Sequence, residues 1–335
     1  MESDRRPARW RFVLHRGQDA SLLLFAVALS APVFFLGEIL TNLGHYLAWF
    51  GLVVSISAWV DRRFAIAALL MILGIWFGAA SWSLSLRARS AIPATSTSAQ
   101  AFRVATMNLL FDNDDQQGVR ELIERERPDV IFCCEVSTSW RDFLLELQRY
   151  PYRHWSPALA DWVEPFPIRE HPKQATWGTV ILSTKPFLET GLLATPGDAW
   201  RPTPYASIEV GSEAVRVFGA HTMRPGKAWR LRLRNLVLDQ IAAEATRPTD
   251  VLVGDLNTTA ASRHFGRLLS SSGLRDSREG FGRQPTFSLP SWLPLFSVTL
   301  DHVLVGSRIG VADRRVVEVP GSDHLGVVAD LVVLP

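Results

Sequence analysis

The chain has 335 residues, enough for one large domain or two ordinary ones, and 47% of them are hydrophobic, with a mean hydropathy of +0.10. Its net charge of +2 is uneven: residues 1–100 hold nine arginines, no lysine and five acidic residues, leaving 26 basic against 28 acidic residues in 101–335. Bulk charge therefore excludes a basic nucleic-acid binder for the second region, although a local basic patch is compatible with it.

Residues 1–19 are polar and carry Arg5, Arg6, Arg9, Arg11 and Arg16. Three apolar stretches follow: Ala20–Leu36, extending on a looser count to Leu40, then Gly44–Val60 and Phe64–Leu86. Each is near the ~20 residues that a helix needs to cross a bilayer. The expectation is three spans. A cleaved signal peptide is the rival for the first, but its basic leader is long and two more stretches follow. A re-entrant hairpin is the rival for the first two, because the turn Glu38–His45 is short.

Arginines precede the first stretch, and Arg62 and Arg63 separate the second from the third. The positive-inside rule then places the N-terminus in the cytoplasm and everything after Leu86 outside. Arg87 and Arg89 pull the other way, and two spans would reverse the answer.

Arg87–Gln100 is small, polar and Pro-containing, and reads as a linker. The expected division is 1–19 basic N-terminus, 20–86 transmembrane region, 87–100 linker and 101–335 folded domain. From Phe102 strands alternate with helices. Strands are predicted at Phe102–Met107, Val130–Cys134, Thr179–Ser183, Ala206–Val210, Val215–Ala220, Val251–Val253, Thr299–Val305 and Val327–Val333. Helices are predicted at Gln117–Glu126, ended by Pro128, at Trp140–Arg149 and at Ala228–Ala245. Tyr150–Thr176 is a Pro- and Trp-rich excursion of the kind that carries binding surfaces. Cys133 and Cys134 are adjacent, so on a strand they face opposite ways and read as two small buried side chains, not a disulfide.

Polar residues that a core does not require stand at the strand ends: Asn108, Glu135, His221, Asp255 with Asn257, Asp301, and Asp323 with His324. Each alone has a bland reading as a turn, cap or surface residue. Together they fit a ligand site where strand ends converge. Asp255 and Asn257 are two apart, so one strand end can present a carboxylate and a carboxamide on one side.

The set Met107-Asn108, Glu135-Val136-Ser137, Gly178–Ser183, His221-Thr222, Gly254-Asp255-Leu256-Asn257, Leu300-Asp301-His302 and Gly321-Ser322-Asp323-His324 resembles the endonuclease/exonuclease/phosphatase superfamily. The layout looks like its membrane-anchored bacterial branch. The resemblance implies a four-layer α/β sandwich, two mixed β-sheets face to face with helices outside, and a metal-dependent phosphoesterase acting by in-line attack of water. It implies Glu135 as principal Mg²⁺ ligand (Mn²⁺ as a substitute), with Asn108 and Asp323 beside the metal. Asp255 would orient or deprotonate water, and Asn257 would hold a phosphate oxygen. His324 would stabilise the transition state or donate a proton, with Asp301 fixing its tautomer, and His221 would serve as second acid or phosphate donor.

A histidine at 221 looks less like the abasic-site branch, which tends to carry Asn there. Arg224, Lys227, Arg230, Arg232 and Arg234 follow it. They read either as contacts to phosphate or lipid headgroups or as a solvated helix face. The expected partners are a lipid bilayer, through the N-terminal helices, and a phosphoester substrate, either a lipid headgroup or nucleic acid. The expected place is the bacterial cytoplasmic membrane. A catalytically silent membrane scaffold is the reading from another class, and fold analogy alone does not choose the substrate.

Overall fold

The computed structural model describes residues 6–29, 35–82, 88–89, 92, 100–156, 178–195, 198–288 and 297–335. Most of the expected linker and most of the Pro/Trp excursion lie outside the described residues. The chain divides into two compact units, Met1–Leu84 with Ala260–Arg263, and Ser85–Thr259 with His264–Pro335.

The first unit holds α1 (Arg6–Leu29), α2 (Phe35–Asn42), α3 (Gly44–Val60) and α4 (Phe64–Trp82). Helices α3 and α4 form a close hairpin, because small residues line their contact. A Cβ built on Gly51 would stand 3.0 Å from the Leu70 carbonyl oxygen and 3.1 Å from the Gly74 Cα. Ser55 Oγ donates to the Ala67 carbonyl at 2.8 Å. Their outer faces are also apolar: Trp49, Val53, Ile56 and Trp59 on α3, and Leu69, Ile72, Ile75 and Trp76 on α4, are exposed. Helices apolar all round are the pattern of a buried or lipid-facing element.

The expected first span takes a different form. The basic leader and the start of the apolar stretch share one helix, α1, over Arg6–Leu29. Among the described residues no single helix is long and apolar enough to cross a membrane. The pair Leu36–Asn42 and Gly44–Val60, bent by 84°, meets that test together. Arg63, counted above as an orientation signal, also holds the helices together. It donates to Gln18 Oε1 at 2.8 Å and to Asp19 at 2.6 Å, while buried Gln18 donates to Asp61 at 2.8 Å.

The second unit runs β1 (Ala101–Asn108), α5 (Gln116–Glu126), β2 (Val130–Val136), α6 (Thr138–Glu146), β3 (Tyr152–Trp155), β4 (Gly178–Ser183), β5 (Phe187–Thr195), β6 (Asp198–Val210) and β7 (Glu213–His221). It continues with α7 (Ala228–Glu244), β8 (Asp250–Asp255), α8 (Arg263–Ser272), β9 (Arg275–Asp276), β10 (Phe287–Ser288), β11 (Ser297–Val298), β12 (Asp301–Val305), β13 (Ile309–Glu318) and β14 (Leu325–Val333). One six-stranded sheet has the order β13-β14-β1-β2-β4-β3, the other β5-β6-β7-β8-β12-β9, and β10-β11 form a small ribbon. Both large sheets are mixed, with β1/β2 and β7/β8 parallel among antiparallel neighbours.

Alternation along the strands builds the core between the sheets. Phe102 and Val104, Val130 and Phe132, Val215 and Val217, Val251 and Val253, and Val303 and Val305 share one cluster. The opposite face of the first sheet meets α5 and α6 through Val119, Leu122, Ile123, Trp140, Phe143 and Leu144. Cys133 and Cys134 are buried, unpaired and split between these two clusters.

Strands β3, β5 and β13, the two-residue strands β9, β10 and β11, and helix α8 are not among the predicted elements. In β13 a register shift between Val311 and Asp313 breaks the period-two pattern. β6 also runs longer than expected, through Pro202 and Pro204. Those prolines are tolerated because β6 meets β7 only from Tyr205 onward, so their missing N–H groups leave no ladder incomplete on that side.

A buried ionic cluster sits at the β9/β12 edge. Asp276 accepts from the Arg278 backbone N–H at 2.9 Å and from its guanidinium at 3.3, 3.0 and 2.7 Å, and lies 3.7 Å from His302 Nδ1, and Arg314 donates to Ser277 at 3.0 Å. Burial pushes the Asp276 carboxyl up, but Arg278 and His302 outweigh it and hold it well below the usual carboxylate range. A depressed folded-state pKa stabilises above the unfolded value of about 3.9 and loses that contribution as pH falls. Asp276→Ala should therefore cost about 3–5 kcal/mol at pH 7 by leaving Arg278 unpaired. In urea denaturation followed by circular dichroism, the gap to the parent chain should narrow below about pH 4.

Candidate active site

The strand registers place three of the expected residues in one row. In the second sheet His221 stands opposite Asp255 across the parallel β7/β8 pair, and Asp301 stands opposite Asp255 across the antiparallel β12/β8 pair. All three continue the parity of inward-facing residues, Val217, Val253 and Val303, so they stand where the apolar core gives way. Gly254 makes the row close. Its φ is +136°, and a Cβ there would fall 1.9 Å from the Ala220 carbonyl oxygen.

The first sheet supplies Asn108, at the end of β1, and Glu135. Parity alone would send Glu135 outward with Ile131 and Cys133. Its φ of +55° and the register shift between Cys133 and Val136 turn the side chain inward. Asn108 Nδ2 then spans both sheets, donating to Glu135 Oε1 at 3.1 Å and reaching Asp255 Oδ2 at 3.5 Å. Its Oδ1 accepts from the Leu110 N–H at 3.0 Å. His221 Nε2 lies 3.8 Å from both Glu135 Oε1 and Asp255 Oδ2.

His324, just before β14, meets Asp301 through Nδ1 at 2.8 Å, and its Nε2 faces Asp255 Oδ2 at 4.0 Å. Burial disfavours the charged ring, but the Asp301 carboxylate, its hydrogen bond and the Asp255 charge outweigh burial and raise the imidazole to about 10. Burial and then the charge of Asp301 push the Asp255 carboxyl up to about 7, against the pull of His324 and the Asn257 amide. Both groups are thus raised, which keeps the imidazole charged and brings the carboxyl toward the neutral range where it can exchange a proton.

Asn257 is in place but engaged. Its backbone N–H donates to Asp255 Oδ1 at 2.9 Å, and its side-chain amide donates to Asp255 Oδ2 at 3.1 Å and to the Thr222 carbonyl at 3.0 Å. As it stands it orients Asp255, with both amide hydrogens used. Asp323 and Arg224 are not brought in. Both are exposed, and among the described residues no hydrogen bond or ion pair ties either to the row. Asp323 acts on His324 only through its charge. Arg234, one of the basic cluster, is fully buried and donates to the Asn257 carbonyl at 3.1 Å, so neither a solvated face nor a free phosphate contact describes it.

Sequence reasoning also missed the supports. Ser322 Oγ donates to the Asn108 carbonyl at 2.7 Å and accepts from the His324 N–H at 3.1 Å. Thr286 Oγ1 accepts from the Leu300 and Asp301 N–H groups, both at 3.0 Å. Phe287 packs on the His324 ring, 4.8 Å between centroids. Ser322, two residues before His324, was within reach of the motif; Thr286 and Phe287 had no sequence signal.

The donors fit a hard divalent cation. Ligand atoms of Asp255, Asp301 and His324 lie within 4.8 Å of one another, and Asp301 Oδ1 is buried without a hydrogen-bond partner among the described residues. Glu135 is only half-buried and brings a third carboxylate to the same place. Carboxylates packed this densely favour a cation with oxygen preference.

The profile described as Endonuclease/Exonuclease/phosphatase family matches residues 105–324. No curated protein matches. Among solved structures, an endonuclease/exonuclease/phosphatase from Beutenbergia cavernae aligns with TM-score 0.55 at 21% identity, over 70% of this chain and 72% of that one. TDP2 of D. rerio, complexed with single-strand DNA product, aligns with TM-score 0.53 at 15% identity, over 69% and 98%. The Neisseria 3′ phosphatase NExo, bound to product DNA hairpin, aligns with TM-score 0.51 at 18% identity, over 68% and 98%. At these identities the likeness is one of fold.

Gly254→Ala tests the close approach beneath the row. The added methyl meets backbone, which cannot swing aside, so the β7/β8 pair must part. A loss of about 3 kcal/mol or more is expected in denaturant titration; a change below about 0.5 kcal/mol would contradict this geometry.

Proposed function

This chain belongs to the endonuclease/exonuclease/phosphatase family, and on that premise we propose that it is a metal-dependent phosphodiesterase anchored to a bacterial cytoplasmic membrane. The observation that carries the reading is the meeting of Glu135, Asp255 and Asp301 with His221 and His324 at the ends of two facing sheets. Asp255 receives the proton of the attacking water, held in aim by the amides of Asn257 and Asn108. His324, kept charged and aimed by Asp301 through Nδ1, faces the developing negative charge and gives its Nε2 proton to the leaving oxygen. His221 is a second donor from the opposite side.

Mg²⁺, with Mn²⁺ as substitute, is the proposed ion, held by Glu135 with Asn108 steering that carboxylate; Asp323 remains a candidate for reaching it. When bound, the ion supplies positive charge to the phosphoryl oxygens.

The anchor is proposed to be α1, the bent α2–α3 pair and α4. The exposed apolar side chains of α3 and α4 support it, and those helices are about 25 and 28 Å long against a hydrocarbon core of about 30 Å. On this reading residues 101–335 form an extracytoplasmic catalytic domain behind the 87–100 linker. A lipid or lipid-headgroup phosphodiester is the favoured substrate, because the domain lacks bulk positive charge.

The test is hydrolysis by the detergent-solubilised full chain of bis-p-nitrophenyl phosphate, mixed phospholipids, plasmid DNA and RNA, with Mg²⁺ or Mn²⁺. Glu135→Ala and His324→Ala should each lower turnover by about 10²-fold or more, and a chelator should abolish it. Preference for nucleic acid, falling with salt, would move the reading to an extracytoplasmic nuclease. No turnover on any substrate, in parent and variants alike, would leave a membrane scaffold.

A further inference from the structure

We propose that the catalytic unit docks onto an anionic lipid surface through the exposed face of α7. Trp229 and Leu236, seven residues apart on one side of the helix, are 45% and 49% exposed. Arg232 lies on the same side between them and is exposed, as are Arg224 and Lys227 in the approach to the helix. Asp239, further along the same side of α7, is paired with exposed Arg267 of α8 at 3.8 Å and so does not offset the cations near the helix start.

Folding does not account for this composition. Cations at the start of a helix oppose its dipole, and α7 has no acidic residue in its first turn to balance them. The Arg230 guanidinium lies over the Trp229 ring, 5.3 Å from its centroid, so a cation and an aromatic ring are already presented together on this face, with Leu236 exposed beyond them. A surface of mixed basic and apolar residues, with an aromatic at its rim, matches the boundary between anionic headgroups and acyl chains. Nucleic acid would use the arginines but would leave Leu236 without a partner. The chain runs from His221 at the end of β7 through Arg224 and Lys227 into this face. The inference rests on the phosphodiesterase reading only for its meaning: it would make the substrate a phosphodiester presented at the bilayer surface.

The experiment uses the full chain with Leu236→Cys carrying an environment-sensitive dye; Cys133 and Cys134 are buried and leave that site as the target. The chain is mixed with phosphatidylcholine vesicles with and without phosphatidylglycerol, and with brominated acyl chains as quencher. A blue shift and quenching that need phosphatidylglycerol, and that Lys227→Glu with Arg232→Glu reduces at least tenfold, are the expected result. A dye that stays water-exposed with both vesicles, or that responds to an oligonucleotide and not to vesicles, overturns the proposal. Turnover of bis-p-nitrophenyl phosphate, followed in parallel, separates the two readings. Its absence refutes the phosphodiesterase assignment whatever the dye reports, and its presence with a silent dye refutes the docking alone.

Discussion

Phe132 of the first sheet lies against Gly219 and Gly254 of the second, where neither residue offers a side chain. A Cβ at Gly219 would stand 2.1 Å from the Phe132 ring, and one at Gly254 2.9 Å from it. This contact sets how near the sheets come just beneath the polar row. With the sheets that near, Asn108 from one can touch carboxylates from both, and His221 can stand between Glu135 and Asp255. Widened by one methyl, the same residues would remain at their strand ends yet fall out of reach of one another. The site is therefore a property of core packing as much as of the residues that line it.

The electrostatics follow from that closeness. Asp255 and Asp301 face each other across a strand pair, in burial that neither charge tolerates alone. The structure answers with His324, shared between them, and with backbone and amide donors on Asp255. A second buried ionic group, Asp276 with Arg278 and His302, lies one strand further on, and its histidine is the residue next to Asp301. Its carboxylate is held strongly ionised, in contrast to Asp255, although both are fully buried. The difference lies in the partners: an arginine fork for one, a second carboxylate for the other.

Much of this was legible in the sequence where parity held. Asp255, Asp301, His221 and Asn108 each continue an alternating apolar strand by one more inward step, and the registers place them accordingly. Glu135 was recognised through its motif, because simple alternation sends it to the wrong face and no sequence rule announces its backbone conformation. Asp323 was named from the motif it shares with His324, and Arg224 for following His221; both stand exposed. Arg234 looked like one cation among five, yet it is the one that folding buries. At the N-terminus the hydropathy pattern marked α3 and α4 well, because each apolar stretch is also one helix. It misjudged α1, whose helix begins in the basic leader.

The backbone of Glu135 bears on how such a site persists. A left-handed conformation disfavours any residue with a side chain by about 1–2 kcal/mol, and glycine or asparagine would sit there more easily. Asn257, at φ +46°, already belongs to the tolerant kind; Glu135 does not. Leu110, Arg127 and Gln284 carry the same backbone cost elsewhere in the unit, but at Glu135 the strained backbone also aims a carboxylate. Glycine there would relieve the strain and thin the carboxylate cluster in one step.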